Sequence, residues 1–109
     1  MNLVYLGSGE FGVPCLDALR ASGQAPCLIV TQPAHPAGRG RRPQPTAVAQ
    51  WAAAQGVPCA ETANVNAPDV VPRIAACRPE VIVVIAFGQK IGKGVIALPP
   101  KGAINVHAS

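Results

Sequence analysis

The sequence predicts an α/β fold built on an open parallel sheet. Short apolar runs rich in β-branched residues alternate with stretches whose apolar residues recur at helical spacing. The most apolar run, residues 81–86, has no polar side, as expected for a central strand of a parallel sheet. With 109 residues, 50% hydrophobic and 13% charged, the chain is long enough for one domain with a modest core.

Five strands and three helices are predicted in alternation. The strands are expected at residues 3–6, 28–31, 57–60, 81–86 and 103–109, and the helices at 11–21, 46–55 and 67–77. Gly23 and Gly56 follow the first two helices, which is typical of helix ends. Pro72 lies inside the third helical pattern, so that helix is expected to start late or to bend. Residues 87–102 contain at most one short helical turn.

A long proline-rich loop, "QPAHPAGRGRRPQP", follows the second strand. Its prolines exclude a regular helix or a central strand. Three of the nine basic residues of the chain, Arg39, Arg41 and Arg42, lie in this loop, so much of the net charge of +4 is local. Such a cluster favours contact with an anion, whereas the alternative is a solvated loop without a partner.

Several protein classes are disfavoured. The four cysteines contain no C-x-x-C pair and have no histidine pair nearby, so reduced cysteines and no metal site are expected. The apolar run at the N-terminus is interrupted too early for a signal peptide. The longest apolar run is about a third of the length that spans a bilayer. A cytoplasmic protein with no membrane partner is therefore expected.

The stretch "GSGEFG", residues 7–12, spells the dinucleotide-binding pattern G-x-G-x-x-G directly after a predicted strand. Such a site also needs an acidic residue about 20 positions further on, but the second strand ends in "TQP". Glu10 would in addition repel a pyrophosphate. Two alternatives stay open, an NADP site that uses Arg39 and a tight turn that binds no ligand.

Asn105 and His107 form a candidate catalytic pair. They are two residues apart on a predicted strand, so their side chains leave the same face of the sheet. They also lie at the carboxyl end of that strand, where open α/β sheets bind ligands. A neutral histidine can accept a proton from an attacking amine, and an asparagine amide can donate to a developing oxyanion. This chemistry suits acyl or formyl transfer to an amine, although a structural hydrogen-bonded pair is the alternative.

Four stretches, "GSGEFGVP", "TQPAHPAGRGRRPQPTAV", "VIVVIAFGQKI" and "LPPKGAINVHAS", together resemble the N-terminal part of the methionyl-tRNA formyltransferase family. The resemblance implies a Rossmann-like sheet of about five strands in the order 3-2-1-4-5, with helices on both faces. It also implies a cytoplasmic, monomeric enzyme that transfers a formyl group from 10-formyltetrahydrofolate to initiator methionyl-tRNA, without a metal.

The resemblance assigns roles to individual residues. Asn105 is expected to polarise the formyl oxygen and His107 to handle the amine proton. The folate is expected against a stretch made of Ala86, Phe87, Gly88, Gln89 and Ile91. The methionyl end of the tRNA is expected beside Ser8 and Gly9, and the tRNA itself against Arg39, Arg41 and Arg42.

The chain also departs from the family pattern. Gly9 and Gly12 stand where Pro and Ala are common, and Phe87 stands where Tyr is frequent. The resemblance places residues 1–109 in the N-terminal part of a catalytic domain, so that a third catalytic residue, an Asp, and a tRNA-binding domain fall outside it. We therefore expect this stretch alone to be inactive. Another folate-dependent formyltransferase or hydrolase, and a non-enzymatic RNA-binding module, are the remaining alternatives.

Overall fold

The computed structural model describes residues 2–37 and 42–106. Seven strands lie within these ranges: β1 (Leu3–Gly7), β2 (Leu28–Thr31), β3 (His35–Ala37), β4 (Arg42–Gln44), β5 (Cys59–Glu61), β6 (Val81–Ile85) and β7 (Ala103–Val106). Four α-helices alternate with them: α1 (Val13–Ala21), α2 (Ala47–Gln55), α3 (Val71–Ala76) and α4 (Lys93–Ile96).

Five of the strands form one parallel sheet in the order β5-β2-β1-β6-β7. Counting only these five along the chain, the order is 3-2-1-4-5, so the predicted sheet is confirmed. The proline-rich loop adds a separate antiparallel hairpin, β3 with β4, which the sequence did not predict. The hairpin stays outside the main sheet, in agreement with the exclusion of a central strand.

The core has two halves, one on each face of the sheet. On one face α1 and α2 bury Leu16, Val48 and Trp51 against alternate residues of the strands. On the other face α3 and α4 contribute Ile74 and Val95. β1 is buried along its whole length because both of its faces are covered and both of its edges are paired. Helices on both faces were predicted and are confirmed.

Two prolines set the starts of helices α1 and α3. Helix α1 begins at Val13, after a 3₁₀ turn at Glu10–Gly12, and α3 begins at Val71. Pro14 and Pro72 each occupy the first turn of their helix. Proline has no N–H to donate and its ring clashes with the preceding turn, so it fits only at this position. The predicted start at residue 11 is therefore wrong, whereas the late start that Pro72 led us to expect for the third helix is confirmed.

No helix in the part of the chain described above is long and apolar enough to cross a membrane. Cys15, Cys27, Cys59 and Cys77 are all half-buried and free. Burial, together with the neighbouring Cys77, raises the pKa of the Cys27 thiol to about 11. Burial also raises the pKa of Cys59, with Glu61 adding to the effect. Both thiols are therefore protonated and weakly nucleophilic near neutral pH.

Candidate functional site

A cleft, called cleft A, opens at the carboxyl ends of β6 and β7 and has a volume of about 640 Å³. Parallel α/β sheets bind ligands at this edge. The lining residues are Val84, Ala86, Phe87, Gly88, Gln89, Ile91, Ile96, Ala103, Asn105 and Val106. Most are apolar, and the side-chain amides belong to Gln89 and Asn105. The cleft therefore suits a flat, largely apolar ligand held by few polar contacts.

Asn105 reaches cleft A because of its register in the sheet. It pairs with Val84 of β6, and Ala103 pairs with Ile82. Residues that pair in a parallel ladder point to the same face, which here is the face covered by α3 and α4. Asn105 is consequently the polar side chain that β7 presents to the cleft.

The loop that follows β6 has an unusual backbone. Ala86 has φ +50° and Gly88 has φ +78°, so both are in the left-handed region. This conformation favours glycine, and for alanine it is strained. The backbone N–H groups of Ser8 and Gly9 donate to the Ala86 carbonyl at 3.2 and 3.4 Å. The turn after β1 is thus hydrogen-bonded to the backbone of Ala86, which lines cleft A.

Two side chains fasten the same loop to the segment after β5. Gln89 accepts from the Val65 N–H through Oε1 at 2.8 Å and donates through Nε2 to the Thr62 carbonyl at 2.7 Å. Asn66 accepts from the Gly92 N–H at 2.7 Å and donates to the Lys90 carbonyl at 2.9 Å. Because both ends of the Gln89 amide are engaged in this way, Gln89 offers a ligand mainly its backbone and its methylene groups.

A second cleft, called cleft B, lies on the other side of the β1 turn and has a volume of about 600 Å³. It is lined by Ser8, Gly9, Glu10, Gln32, Pro33, Ala34, Gln44, Pro45, Thr46 and Ala47. The turn after β1 forms one wall, and the base of the β3–β4 hairpin forms the other. Glu10 gives this lining its negative charge, which favours a cationic group such as an ammonium over a phosphate.

A chain of hydroxyl groups joins the two walls of cleft B. The Oγ1 atoms of Thr31 and Thr46 are 2.6 Å apart, and Thr31 also donates to Ser8 Oγ at 3.2 Å. Thr46 caps α2 by accepting from the Ala49 N–H at 3.0 Å. Thr31 is fully buried, and Thr46 nearly so. The network fixes the end of β2, the start of α2 and the β1 turn relative to one another.

The structure brings together most of the residues singled out from the sequence. Ala86, Phe87, Gly88, Gln89, Ile91 and Asn105 line cleft A, and Ser8 and Gly9 line cleft B. Arg42 is exposed at the start of β4, two residues before Gln44 of cleft B. His107, Arg39 and Arg41 lie outside the described residues, so their predicted roles stay predictions.

Sequence reasoning missed Gln32, Gln44 and Thr46 as cleft residues. Gln32 was considered only as a residue that cannot replace the acid of a dinucleotide site. Thr46 was predicted within a helix, although a threonine immediately before an alanine-rich helical run is a typical cap. Among the described residues, no group of three or more His, Cys, Asp or Glu side chains is placed to hold a metal ion.

A Rossmann-like sheet with clefts at the carboxyl ends of its strands defines a class of ligand-binding α/β domains. The whole chain, residues 1–109, matches the family model described as formyl transferase. The chain therefore belongs to the formyl transferase family. The family resemblance found in the sequence motifs is confirmed.

Several methionyl-tRNA formyltransferases are similar to this protein along the whole chain. The chain is 42% identical over 109 residues to a methionyl-tRNA formyltransferase of Methylococcus capsulatus, and 44% identical over 110 residues to one of Halothermothrix orenii. A methionyl-tRNA formyltransferase of Legionella pneumophila is 42% identical. In each case 100% of this chain is covered but only 35% of the relative, so the chain spans about a third of the length of these relatives.

The fold is also similar to that of a crystal structure of glycinamide ribonucleotide transformylase 1 from Geobacillus kaustophilus. The TM-score is 0.69, and the alignment covers 97% of this chain and 57% of that chain. At 16% sequence identity this likeness establishes the common fold. It agrees with the Rossmann-like sheet described above.

Proposed function

We propose that this chain provides the folate cleft and part of the catalytic centre of an enzyme that formylates methionyl-tRNA with 10-formyltetrahydrofolate. One observation carries the proposal: the five residues expected to contact the folate and the asparagine expected to act on the formyl group line a single cleft. The chain corresponds in this proposal to the N-terminal part of the catalytic domain. In the same proposal, the third catalytic residue and the tRNA-binding domain lie outside residues 1–109.

Cleft A fits the pterin part of a folate. Its volume of about 640 Å³ is in the range typical of small-molecule sites. Phe87 and Ile91 provide apolar surface for the flat ring, and the loop of Ala86, Gly88 and Gln89 provides backbone groups for its polar edge. When bound, 10-formyltetrahydrofolate supplies the formyl group, which is attached to one of its nitrogen atoms. Tetrahydrofolate is the leaving group.

Asn105 and His107 have different roles in formyl transfer. The amine nitrogen of the methionyl group forms a bond to the formyl carbon, and negative charge develops on the formyl oxygen. The Asn105 amide donates a hydrogen bond to this oxygen. His107 accepts the proton that the amine loses, and the proton finally passes to the folate nitrogen as its bond to the formyl carbon breaks.

Cleft B fits the methionyl end of the tRNA. It adjoins cleft A through the β1 turn, because Ser8 and Gly9 line cleft B while their N–H groups bind Ala86 of cleft A. Glu10 attracts the ammonium form of the amine before it loses a proton. Arg42 begins β4, Arg39 and Arg41 precede it in the sequence, and the three arginines are the groups that would contact phosphates of the acceptor end.

The test is a transfer assay with the full-length protein. We expect formyl-methionyl-tRNA to form from 10-formyltetrahydrofolate and charged initiator tRNA. We expect no reaction that depends on NADP. Formylation of a nucleotide or a sugar amine in place of the tRNA would assign the chain to another folate-dependent formyltransferase. If the wild type transfers no formyl group to any of these acceptors, RNA binding that survives loss of both Asn105 and His107 would instead support a non-enzymatic RNA-binding module.

A further inference from the structure

Gln32 makes hydrogen bonds toward both clefts although it lines only one of them. It lies directly after β2, is half-buried and belongs to the lining of cleft B. Its backbone N–H donates to Ser8 Oγ at 3.0 Å, within cleft B. Its side-chain Nε2 donates to the Phe87 carbonyl at 3.2 Å, across a separation of 55 residues along the chain.

The carbonyl that Gln32 binds belongs to the strained loop of cleft A. Phe87 lies between Ala86 at φ +50° and Gly88 at φ +78°. A backbone in this region persists only where surrounding contacts hold it in place. On the cleft B side these contacts are the Ser8 and Gly9 N–H groups, which bind Ala86, and the Gln32 side chain, which binds Phe87.

Of these hydrogen bonds, the one from Gln32 can be removed by substituting a side chain. The donors of Ser8 and Gly9 are backbone N–H groups, which every residue except proline supplies, whereas the bond to Phe87 needs a side chain with an N–H donor of this length. The Gln32 amide also packs against Gly88, where an added Cβ would lie 3.5 Å from Nε2. A change at Gln32 therefore acts on the backbone of cleft A from inside cleft B.

We propose that Gln32 is a positioning residue that holds the folate loop, residues 86–89, in its binding conformation from the side of the methionyl cleft. This inference rests on the proposed function, because it takes cleft A as the folate site and cleft B as the amine site. It follows that a group entering cleft B beside Gln32 and a folate in cleft A influence each other's affinity, and that this mutual effect is reciprocal.

The test uses the full-length protein and calorimetric titration with tetrahydrofolate. Gln32→Met keeps the length of the side chain and removes the donor, and Gln32→Glu keeps the shape but replaces the donor with an acceptor. We expect Gln32→Met to raise the Kd for tetrahydrofolate roughly three- to tenfold, the effect of one lost neutral hydrogen bond. We expect Gln32→Glu to raise it at least as much, because a carboxylate faces the Phe87 carbonyl.

Gln24→Met is the matched control, because Gln24 is exposed after α1 and lies outside both clefts. Its Kd for tetrahydrofolate should equal that of the wild type, and thermal unfolding shows whether each variant is folded during titration. A Kd unchanged in Gln32→Met, or an affinity preserved in Gln32→Glu, would overturn the positioning role. An increase confined to the KM for methionyl-tRNA would make Gln32 an ordinary residue of cleft B.

The titration also separates this inference from the proposed function. If the wild type does not bind tetrahydrofolate, the folate assignment of cleft A fails, and the role of Gln32 fails with it. If the wild type binds and the Gln32 variants bind equally well, only the positioning role is lost. In the wild type, methionyl-tRNA should change the Kd for tetrahydrofolate, and in Gln32→Met this effect should be smaller.

Discussion

The ring of Tyr5 lies directly beneath Gly12, so close that a methyl group on Gly12 would overlap the Tyr5 hydroxyl. A methyl group on Gly7 would likewise collide with the Tyr5 ring and with the Ile85 carbonyl. The G-x-G-x-x-G pattern thus has a steric cause inside the fold: Gly7 and Gly12 make room for a buried tyrosine. Gly9 is different, because an added Cβ there would make an ordinary contact with Ala86 at 3.4 Å.

The first prediction concerns this tyrosine and glycine pair. Gly12→Ala should lower the free energy of unfolding by about 1–3 kcal/mol, as expected when a group is forced into a packed core. Tyr5→Phe should be neutral or slightly stabilising, because among the described residues nothing binds the buried hydroxyl. The double variant Tyr5→Phe with Gly12→Ala should recover most of the loss, which urea unfolding in a double-mutant cycle measures. Gly9→Ala is the control and should be tolerated, and additive losses in the cycle would refute the steric explanation.

Alkaline stability supplies the second prediction. Burial, with a smaller effect of Cys15, raises the pKa of Tyr5 to about 12 from 10.0. The folded state therefore keeps its proton at pH values where the unfolded chain has lost it, so this stabilisation is present below pH 10.0 and is lost as the pH rises toward 12. Stability should fall across this window, and Tyr5→Phe should fall less steeply. Equal slopes in urea unfolding at these pH values would contradict the linkage.

Thr46 is the third case, because it carries two hydrogen bonds at once. Thr46→Ala removes the cap of α2 and leaves the buried Thr31 hydroxyl with only its longer contact to Ser8. We expect a loss of about 2 kcal/mol in the free energy of unfolding, the combined effect of a lost cap and a weakened buried hydrogen bond. Thr46→Ser keeps both bonds and should lose clearly less. If Thr46→Ser and Thr46→Ala lower the free energy of unfolding in urea equally, the methyl group of Thr46 and not its hydroxyl accounts for the loss.

Trp51 offers an optical readout for the fourth prediction. Its indole N–H donates to Asp17 Oδ1 at 2.7 Å, which ties α2 to α1. Asp17→Ala leaves this N–H without its partner and should lower the free energy of unfolding by about 1–2 kcal/mol. Asp17→Asn retains an acceptor and should cost less. The emission of Trp51, the one tryptophan of the chain, should shift in Asp17→Ala, and an unchanged spectrum together with unchanged stability would argue against the contact.

The sheet could be predicted because its information is local. An apolar run such as that of β6 identifies a buried strand by itself, and Gly56 marks the end of α2 by its left-handed backbone at φ +70°. Helix starts were less accurate, since the rule that confines Pro14 and Pro72 to a first turn competes with a longer apolar pattern. The β3–β4 hairpin escaped prediction because its proline-rich strands lack any alternating pattern.

The candidate site could be predicted only in part. Family motifs located the residues that line cleft A, since those motifs are contiguous in the sequence. The hydrogen bonds that shape the cleft join distant residues: Gln32 binds Phe87 55 positions away, and Asn66 binds Gly92 26 positions away. No local pattern in a single sequence marks which glutamine or asparagine will face which loop. The three-dimensional structure was therefore needed to find the side chains that support the site.

The last prediction tests the catalytic role of Asn105 in the full-length protein. Asn105→Ala removes the donor to the formyl oxygen, where charge develops during transfer, so kcat should fall by about 10²–10³. The Kd for tetrahydrofolate should hardly change, because this molecule has no formyl oxygen for Asn105 to bind. Asn2→Ala is the contrasting control: Asn2 binds the Cys77 carbonyl at 2.9 Å, and neither residue lines cleft A or cleft B, so its loss should lower stability and leave kcat intact. A large fall in folate affinity with an unchanged kcat would make Asn105 a binding residue. A catalytic Asn105 stabilises negative charge that develops only during transfer, so its loss should lower kcat and not the affinity for tetrahydrofolate.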